Sequence, residues 1–243
     1  DFLQLLVNAG LAQEEKNTDT EHEKASKGPR HPLTKDQILG QGIQFFLAGY
    51  STVSDSLTSI FYLLATNPEA QDRILQEIES VSLAKDDSEP TYEHLKRLEY
   101  LDMVISECLR LHTVAVEVDR TCNRNITING TFIPKGMKVD IPIHSIHMDA
   151  SIWPDPERFD PERFTPEQKT QRHPYAFQAF GLGPRHCLGM RLALMEIKMA
   201  LTYVIRKFKI LPCSKTNIPM KLNLLGTPSD VFLRLEEREV QSK

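Results

Sequence analysis

The sequence lacks any run of 18 apolar residues, the length that a membrane-spanning helix needs. It begins at Asp1 without a methionine or a signal-peptide pattern, so nothing in it predicts a membrane span or a targeting segment. The four cysteines are widely spaced and include no Cys-x-x-Cys pair, which fits a reducing compartment better than a disulfide framework. There is no dense basic stripe, and 29 basic against 33 acidic residues leave a net charge of -4, which argues against nucleic-acid binding.

The apolar residues of the sequence recur in patterns typical of helices and strands. The 243 residues, 40% of them hydrophobic, suit one large or two small globular domains. The tail of an amphipathic helix is predicted over 1–11 and a flexible loop, rich in charge and broken by Gly and Pro, over 13–32. Helices are predicted over 34–66, 68–81, 98–111 and 190–207, and short strands over 125–128, 131–133, 137–141, 220–224 and 231–235.

A glycine-rich stretch delivers one cysteine to the first turn of the last predicted helix. The helix N-terminus and the nearby Arg185 both favour a thiolate at Cys187, which makes this residue a candidate metal ligand. Glycines let the loop turn tightly and lie against a flat ligand. A lone Gly-x-Cys favours a buried structural cysteine instead, but here a longer pattern is complete: Phe180, Gly183, Arg185, Cys187 and Gly189.

This pattern resembles the haem-ligand loop of the cytochrome P-450 superfamily, the haem-thiolate monooxygenases. The resemblance implies that Cys187 is the fifth ligand of the iron of haem b, and that its thiolate favours cleavage of the O–O bond. It also implies that Phe180 packs over the sulfur, that Gly183 and Gly189 shape the loop, and that Arg185 pairs with a haem propionate. Arg120 aligns with a second propionate-binding arginine, with a strand-edge arginine as the alternative.

The long helix predicted over 34–66 has Ala48 and Gly49 at its middle, a notch without large side chains where a flat ligand or dioxygen could approach. Close helix packing at the glycine is the alternative. The family has an acid followed by Thr here, which help to deliver protons to oxygen; this chain has Ser51 and Thr52, so the proton relay departs from the pattern. Asp55, four residues after Ser51, could supply the charge through water or simply be solvated.

Glu107 and Arg110 are three residues apart and share one helical face, which by itself indicates only an ordinary surface pair. With Arg163 they match a family network of one Glu and two Arg that braces the haem loop. Arg158 stands in a near copy of the Pro-Glu-Arg-Phe element and is expected to be solvated.

The segment after this pair departs from the family too. Where the family has Leu-x-Pro, the chain has Leu111-His112-Thr113, and the loss of the proline predicts a looser segment over 113–118. Cys108 and His112 have a spacing that could hold zinc, but no second pair accompanies them and core packing is favoured.

The predicted fold is therefore mainly α with small β-sheets, the C-terminal portion of the cytochrome P-450 fold, with 1–243 as a partial domain whose N-terminal portion is missing. The resemblance implies insertion of one oxygen atom into apolar substrates such as xenobiotics, steroids and lipids, electrons from an NADPH-cytochrome reductase, cytochrome b5 as a further partner, and the cytosolic face of the endoplasmic reticulum membrane through a missing anchor. A thromboxane synthase-like isomerase of peroxides, favoured by Ser51, and an inactive fragment are the alternatives.

Overall fold

The computed structural model describes residues 4, 5, 8, 33–83, 89–223 and 227–238. The predicted loop over 13–32, and the helix tail before it apart from three residues, fall outside these ranges. The chain divides into two compact units, Asp1–Thr52 and Val53–Lys243. Helix α1 (Lys35–Thr66) begins in the first and ends in the second. No helix within the described ranges combines the length and apolarity needed to cross a membrane.

In the first unit, α1 begins with a reciprocal pair of hydrogen bonds. Thr34 Oγ1 accepts from the Gln37 amide at 3.2 Å, and Gln37 Oε1 accepts from the Thr34 amide at 2.9 Å. Two otherwise unbonded backbone donors are thereby satisfied, which fixes the start of the helix where the sequence predicts it.

The second unit is built mainly from helices. They are α2 (Pro68–Ile78), extended by a π-helical turn over Glu79–Leu83, α3 (Tyr92–Lys96), α4 (Glu99–Leu111), α5 (Ile143–His147), α6 (Pro166–Gln171) and α7 (Met190–Lys207), with 3-10 turns over Pro161–Phe164 and Gly183–Arg185. Helix α1 ends at Thr66 because Pro68 has no amide hydrogen to continue it and its ring disfavours a helical residue before it. The main core brings together apolar faces of α1, α2, α4 and α7, including Ile60, Leu64, Ile74, Ile105 and Leu201.

The described residues of this unit also form three two-stranded antiparallel sheets. Strand β1 (Val118–Thr121) pairs with β4 (Lys138–Ile141), β2 (Ile126–Ile128) with β3 (Thr131–Ile133), and β5 (Phe208–Pro212) with β6 (Leu233–Glu237). The β2–β3 hairpin turns at Asn129 and Gly130, with φ of 48° and 80°, the left-handed conformations that such a two-residue turn requires. The mainly α fold with small sheets is thus confirmed.

The strand predictions hold less well near the C-terminus. Within the described part of 220–224 there is only an isolated bridge between Leu222 and Pro228, so the strand predicted there is wrong. The partner of β6 is instead β5, which directly follows α7. Gln71 holds β5 against α2, because its amide both accepts from the Ile210 amide at 2.9 Å and donates to the Ile210 carbonyl at 2.8 Å.

Candidate functional site

The segment that carries Cys187, here called the cysteine loop (178–189), is fixed at both arms by backbone hydrogen bonds. The Gly181 amide donates to the Gln178 carbonyl at 2.8 Å, and the Cys187 amide donates to the Phe180 carbonyl at 2.8 Å. Phe180 itself packs against the main core. The cysteine is therefore held by the backbone of a residue that is anchored in the core.

Two glycines allow the loop to take this path. Gly181 and Gly183 have φ of 68° and 76°, a region that residues with side chains seldom adopt. A Cβ built on Gly183 or Gly189 would meet no atom within 4 Å, so the loop backbone is open to close approach by a flat group.

The thiol is placed differently from the prediction. Helix α7 begins at Met190 with Gly189 as its N-cap, so Cys187 precedes the helix and does not lie in its first turn. The expectation of a first-turn cysteine is wrong because Leu188 and Gly189 still belong to the turn that leads into the helix.

The surroundings of the thiol fit a haem. Cys187 is a free, exposed cysteine, and two apolar residues of the same loop, Leu182 and Leu188, are 39% and 81% exposed. A flat apolar group that carries iron would cover such side chains, and a thiolate is one of the axial ligands that haem iron takes in proteins.

Glu107, Arg110 and Arg163 come together in a buried group, here called the charge network. Glu107 and Arg110 are fully buried, and Arg163 is 9% exposed. Arg110 binds Glu107 through two parallel hydrogen bonds, Nε to Oε2 at 2.7 Å and the second guanidinium nitrogen to Oε1 at 2.9 Å. The Asp160 amide also donates to Glu107 Oε1 at 2.9 Å. This bidentate geometry is the strong form of a carboxylate–guanidinium pair.

Arg163 completes the charge network from the 3-10 turn. Its Nε lies 3.4 Å from Glu107 Oε1, within ion-pair distance but without hydrogen-bond geometry. A different guanidinium nitrogen, Nη2, donates to the Asp155 carbonyl at 2.9 Å. Arg158, in the near copy of the motif, has an exposed side chain. The structure thus brings the second copy of the motif, and not the first, to Glu107.

The charge network contains two cations and one carboxylate, and backbone carbonyls accept further hydrogen bonds from both guanidinium groups. Arg110 donates to the carbonyls of His147 at 2.8 Å and Pro156 at 2.7 Å. Because these carbonyls belong to the chain between β4 and the cysteine loop, the charge network ties α4 to that region.

The two predicted propionate partners lie on the surface. Arg185 ends the 3-10 turn of the cysteine loop, and Arg120 lies on β1 opposite Val139; both are exposed. Within the described ranges neither guanidinium forms an ion pair with a carboxylate. Arg120 donates to the Asp119 carbonyl at 2.7 Å.

The predicted oxygen-handling residues lie on α1 in the first unit. A Cβ built on Gly49, beside Ala48, would meet no described atom within 4 Å. Ser51 Oγ donates to the Leu47 carbonyl at 2.8 Å, and Thr52 Oγ1 donates to the Ala48 carbonyl. Both hydroxyls thus bond back to their own helix. In the second unit, partial burial raises the pKa of Asp55.

The possible zinc pair is part of the core, as favoured. Cys108 is 1% exposed, and burial raises the pKa of its thiol well above the ordinary value. Burial lowers the pKa of His112 to about 4. The described residues contain no group of three or more His, Cys, Asp or Glu that could hold a metal ion.

The sequence analysis did not single out His147 as a site residue. The residue is fully buried, and its ring bonds Thr113 Oγ1 at 2.8 Å and accepts from the Gln178 amide at 2.9 Å. Thr113 is itself buried, so the predicted loosening is wrong at this residue. The only available signal was that Thr113 replaces the family proline.

Comparison with known proteins places the chain in a family. The family model described as "Cytochrome P450" matches residues 1–235, and the chain belongs to that family, whose cofactor is haem b. It is similar to cytochrome P450 3A29 of Sus scrofa, with 42% identity over 93% of this chain and 42% of the relative. Cytochrome P450 3A7 of Homo sapiens is 42% identical over 98% of this chain and 45% of the relative. The chain thus spans less than half the length of these relatives.

Proposed function

We propose that this chain supplies the haem-thiolate half of a monooxygenase that inserts one atom of dioxygen into apolar organic substrates such as xenobiotics, steroids and lipids. The observation that carries the proposal is an exposed free cysteine in a glycine-shaped loop, fixed by the Cys187–Phe180 backbone bond, in a member of the cytochrome P450 family. Haem, when bound, supplies the iron centre at which dioxygen is activated.

In this proposal each residue of the cysteine loop has a separate role. Cys187 is the axial ligand of the iron, and Phe180 holds its backbone in place. Gly183 and Gly189 keep side chains away from the cofactor. Arg185 pairs with one propionate and, from β1, Arg120 with the other, since charge-assisted bonds to carboxylates suit exposed guanidinium groups that lack an ion-pair partner in the described ranges.

The charge network has a positioning role. Glu107, Arg110 and Arg163 hold α4 and the chain before the cysteine loop in one arrangement, and this arrangement keeps Cys187 at its place. A buried network in which Arg110 binds Glu107 through two hydrogen bonds suits that task because it has few alternative geometries of similar energy.

For α1 we propose that Ala48 lies beside the cofactor and that the hydroxyls of Ser51 and Thr52 handle protons during oxygen use. The Ser51 hydroxyl donates to the Leu47 carbonyl and the Thr52 hydroxyl to the Ala48 carbonyl, each one turn earlier on the helix. NADPH-cytochrome reductase as electron donor, cytochrome b5 as a further partner, and the cytosolic face of the endoplasmic reticulum membrane belong to the same proposal.

The test is the reduced carbon monoxide difference spectrum of the chain, expressed with whatever sequence naturally precedes it. A long-wavelength Soret band that disappears in Cys187→Ala and persists in Cys122→Ala is expected. Cys122 is the matched control because it is also a free cysteine and its thiol bonds only the Arg124 carbonyl in the described structure. A band that survives in Cys187→Ala would overturn the proposal.

One observation favours a second function, a haem-thiolate isomerase of peroxide substrates. Ser51 stands where the family has an acid, and its hydroxyl donates to the Leu47 carbonyl. A peroxide brings its own oxygen and needs no acid to deliver protons to dioxygen. Turnover of a peroxide without NADPH and reductase would decide for the isomerase, and NADPH-dependent turnover for the monooxygenase.

A further inference from the structure

The buried imidazole of His147 connects two parts of the chain through opposite ring nitrogens. Nε2 lies 2.9 Å from the Gln178 backbone nitrogen, and Nδ1 lies 2.8 Å from Thr113 Oγ1. A backbone N–H can only donate, so Nε2 must be the acceptor and carry no proton. The neutral ring therefore has its proton on Nδ1 and donates it to Thr113.

The direction of the hydrogen bond from His147 also determines how Thr113 bonds to α4. Its oxygen accepts from His147, so its own hydrogen donates to the carbonyl of Leu109 at 3.0 Å or Arg110 at 3.1 Å. The result is a line of hydrogen bonds from the Gln178 amide to the last turn of α4, here called the Thr113–His147–Gln178 relay.

The far end of the relay lies at the root of the cysteine loop. The Gln178 carbonyl accepts from the Gly181 amide at 2.8 Å, so both backbone polar groups of Gln178 are fixed, its N–H by His147 and its carbonyl by the loop. Phe180, two residues later, holds the Cys187 amide. A displacement at Gln178 would therefore be transmitted directly to the cysteine.

His147, in the middle of the relay, is joined to the charge network. The His147 carbonyl accepts from Arg110 at 2.8 Å, and the ring stacks on Phe177 at 5.3 Å between centroids and meets Trp153 edge-on at 6.5 Å. His147 is thus held by its backbone, by its ring faces and by both ring nitrogens, which leaves it a single orientation.

We propose that the Thr113–His147–Gln178 relay positions the cysteine loop, with Thr113 and His147 as positioning residues for the cysteine. The proposal rests on the proposed ligand role of Cys187 for its functional meaning. It depends on the residue at position 113, because a proline, the residue type that the family pattern has there, has no hydroxyl to accept from His147.

Thr113→Val tests the proposal, because valine keeps the shape of threonine and removes the hydroxyl. The buried Nδ1–H of His147 then has no acceptor, and we expect amide hydrogen exchange over 177–181 to rise about tenfold, with α7 unchanged. The long-wavelength Soret band of the haem complex should lose intensity to a shorter-wavelength form. Thr113→Ser, which retains the hydroxyl, should restore both properties to within about twofold of the parent.

Equal exchange over 177–181 in Thr113→Val and the parent would overturn the proposal, and so would a uniform rise across the chain, which would mark a general loss of stability. If Thr113→Val does not fold, nitrogen NMR of the parent labelled at histidine decides: a proton on Nε2 of His147 overturns the relay, and one on Nδ1 supports it. These readouts do not require that Cys187 bind iron. Failure of the ligand proposal would appear separately, as a Soret band insensitive to Cys187→Ala.

Discussion

The polar residues behind the cysteine loop differ sharply from those on the loop itself. Behind it, Glu107, Arg110 and His147 are fully buried and each has several partners at 2.7–2.9 Å. On it, Cys187 and Arg185 are exposed. The first group finds its hydrogen-bond partners within the protein and therefore serves as a scaffold. The second offers a thiol and a cation to a group that the protein binds, as expected of a cofactor site.

Loss of the Glu107 carboxylate should lower the unfolding free energy more than the other changes considered below. Glu107→Gln removes the charge that Arg110 and Arg163 share and leaves two buried guanidinium groups without compensation, which costs about 3–5 kcal/mol of unfolding free energy. Urea unfolding of the two proteins measures the difference.

Glu157→Gln is the control for this change. Glu157 stands in the near copy of the Pro-Glu-Arg-Phe element, and its side chain is exposed, so we expect a change below about 0.5 kcal/mol. A Glu107→Gln protein as stable as this control would mean that the charge network contributes nothing to the fold.

Acid should lower the unfolding free energy by a smaller amount, through two histidines whose pKa values are lowered by burial. Burial lowers the pKa of His112 and of His147 from 6.5 to about 4. Between these values the unfolded chain binds more protons than the folded one, so stability is complete above about pH 6.5 and is lost as the pH falls towards 4. The groups facing His147 include the cation Arg110, which opposes its protonation, as does His144.

From pH 6 to pH 5 the two histidines together should lower the unfolding free energy by roughly 2 kcal/mol. Urea unfolding at both pH values measures this loss. His94→Gln should leave it unchanged, because His94 is only half-buried at a helix start where glutamine can make the same cap. Imidazoles of His112 and His147 that titrate near 6.5 by NMR would contradict the prediction.

Local chemistry made part of this architecture predictable. Helix α1 ends before Asn67-Pro68, α7 runs over Met190–Lys207 and the hairpin turns at Asn129-Gly130, because proline, apolar periodicity and left-handed turn residues act within a few positions. The family resemblance, and not local chemistry, selected Arg163 over Arg158 as the partner of Glu107, and Arg163 Nε lies 3.4 Å from Glu107 Oε1.

Contacts between residues far apart in the chain could not be predicted from the sequence. Strand β5 was missed because it pairs with β6 more than twenty residues later and is held by Gln71, 139 positions away. The ring of His147 bonds residues 34 and 31 positions away, so only the folded chain reveals that a threonine in place of proline gains a partner.

A substitution in the cysteine loop should have the smallest effect on stability. It would also test most directly the contrast between the buried residues and the loop. Arg185→Ala removes an exposed side chain, so the unfolding free energy without haem should change by less than about 0.5 kcal/mol. Haem binding should nevertheless weaken about tenfold, since a charge-assisted bond to a propionate is lost. Arg191→Ala, an exposed cation in the first turn of α7, should alter neither quantity. If Arg185→Ala instead destabilised the haem-free chain as Glu107→Gln does, Arg185 would belong to the scaffold, and the division between a self-sufficient buried side and a ligand-binding loop would fail.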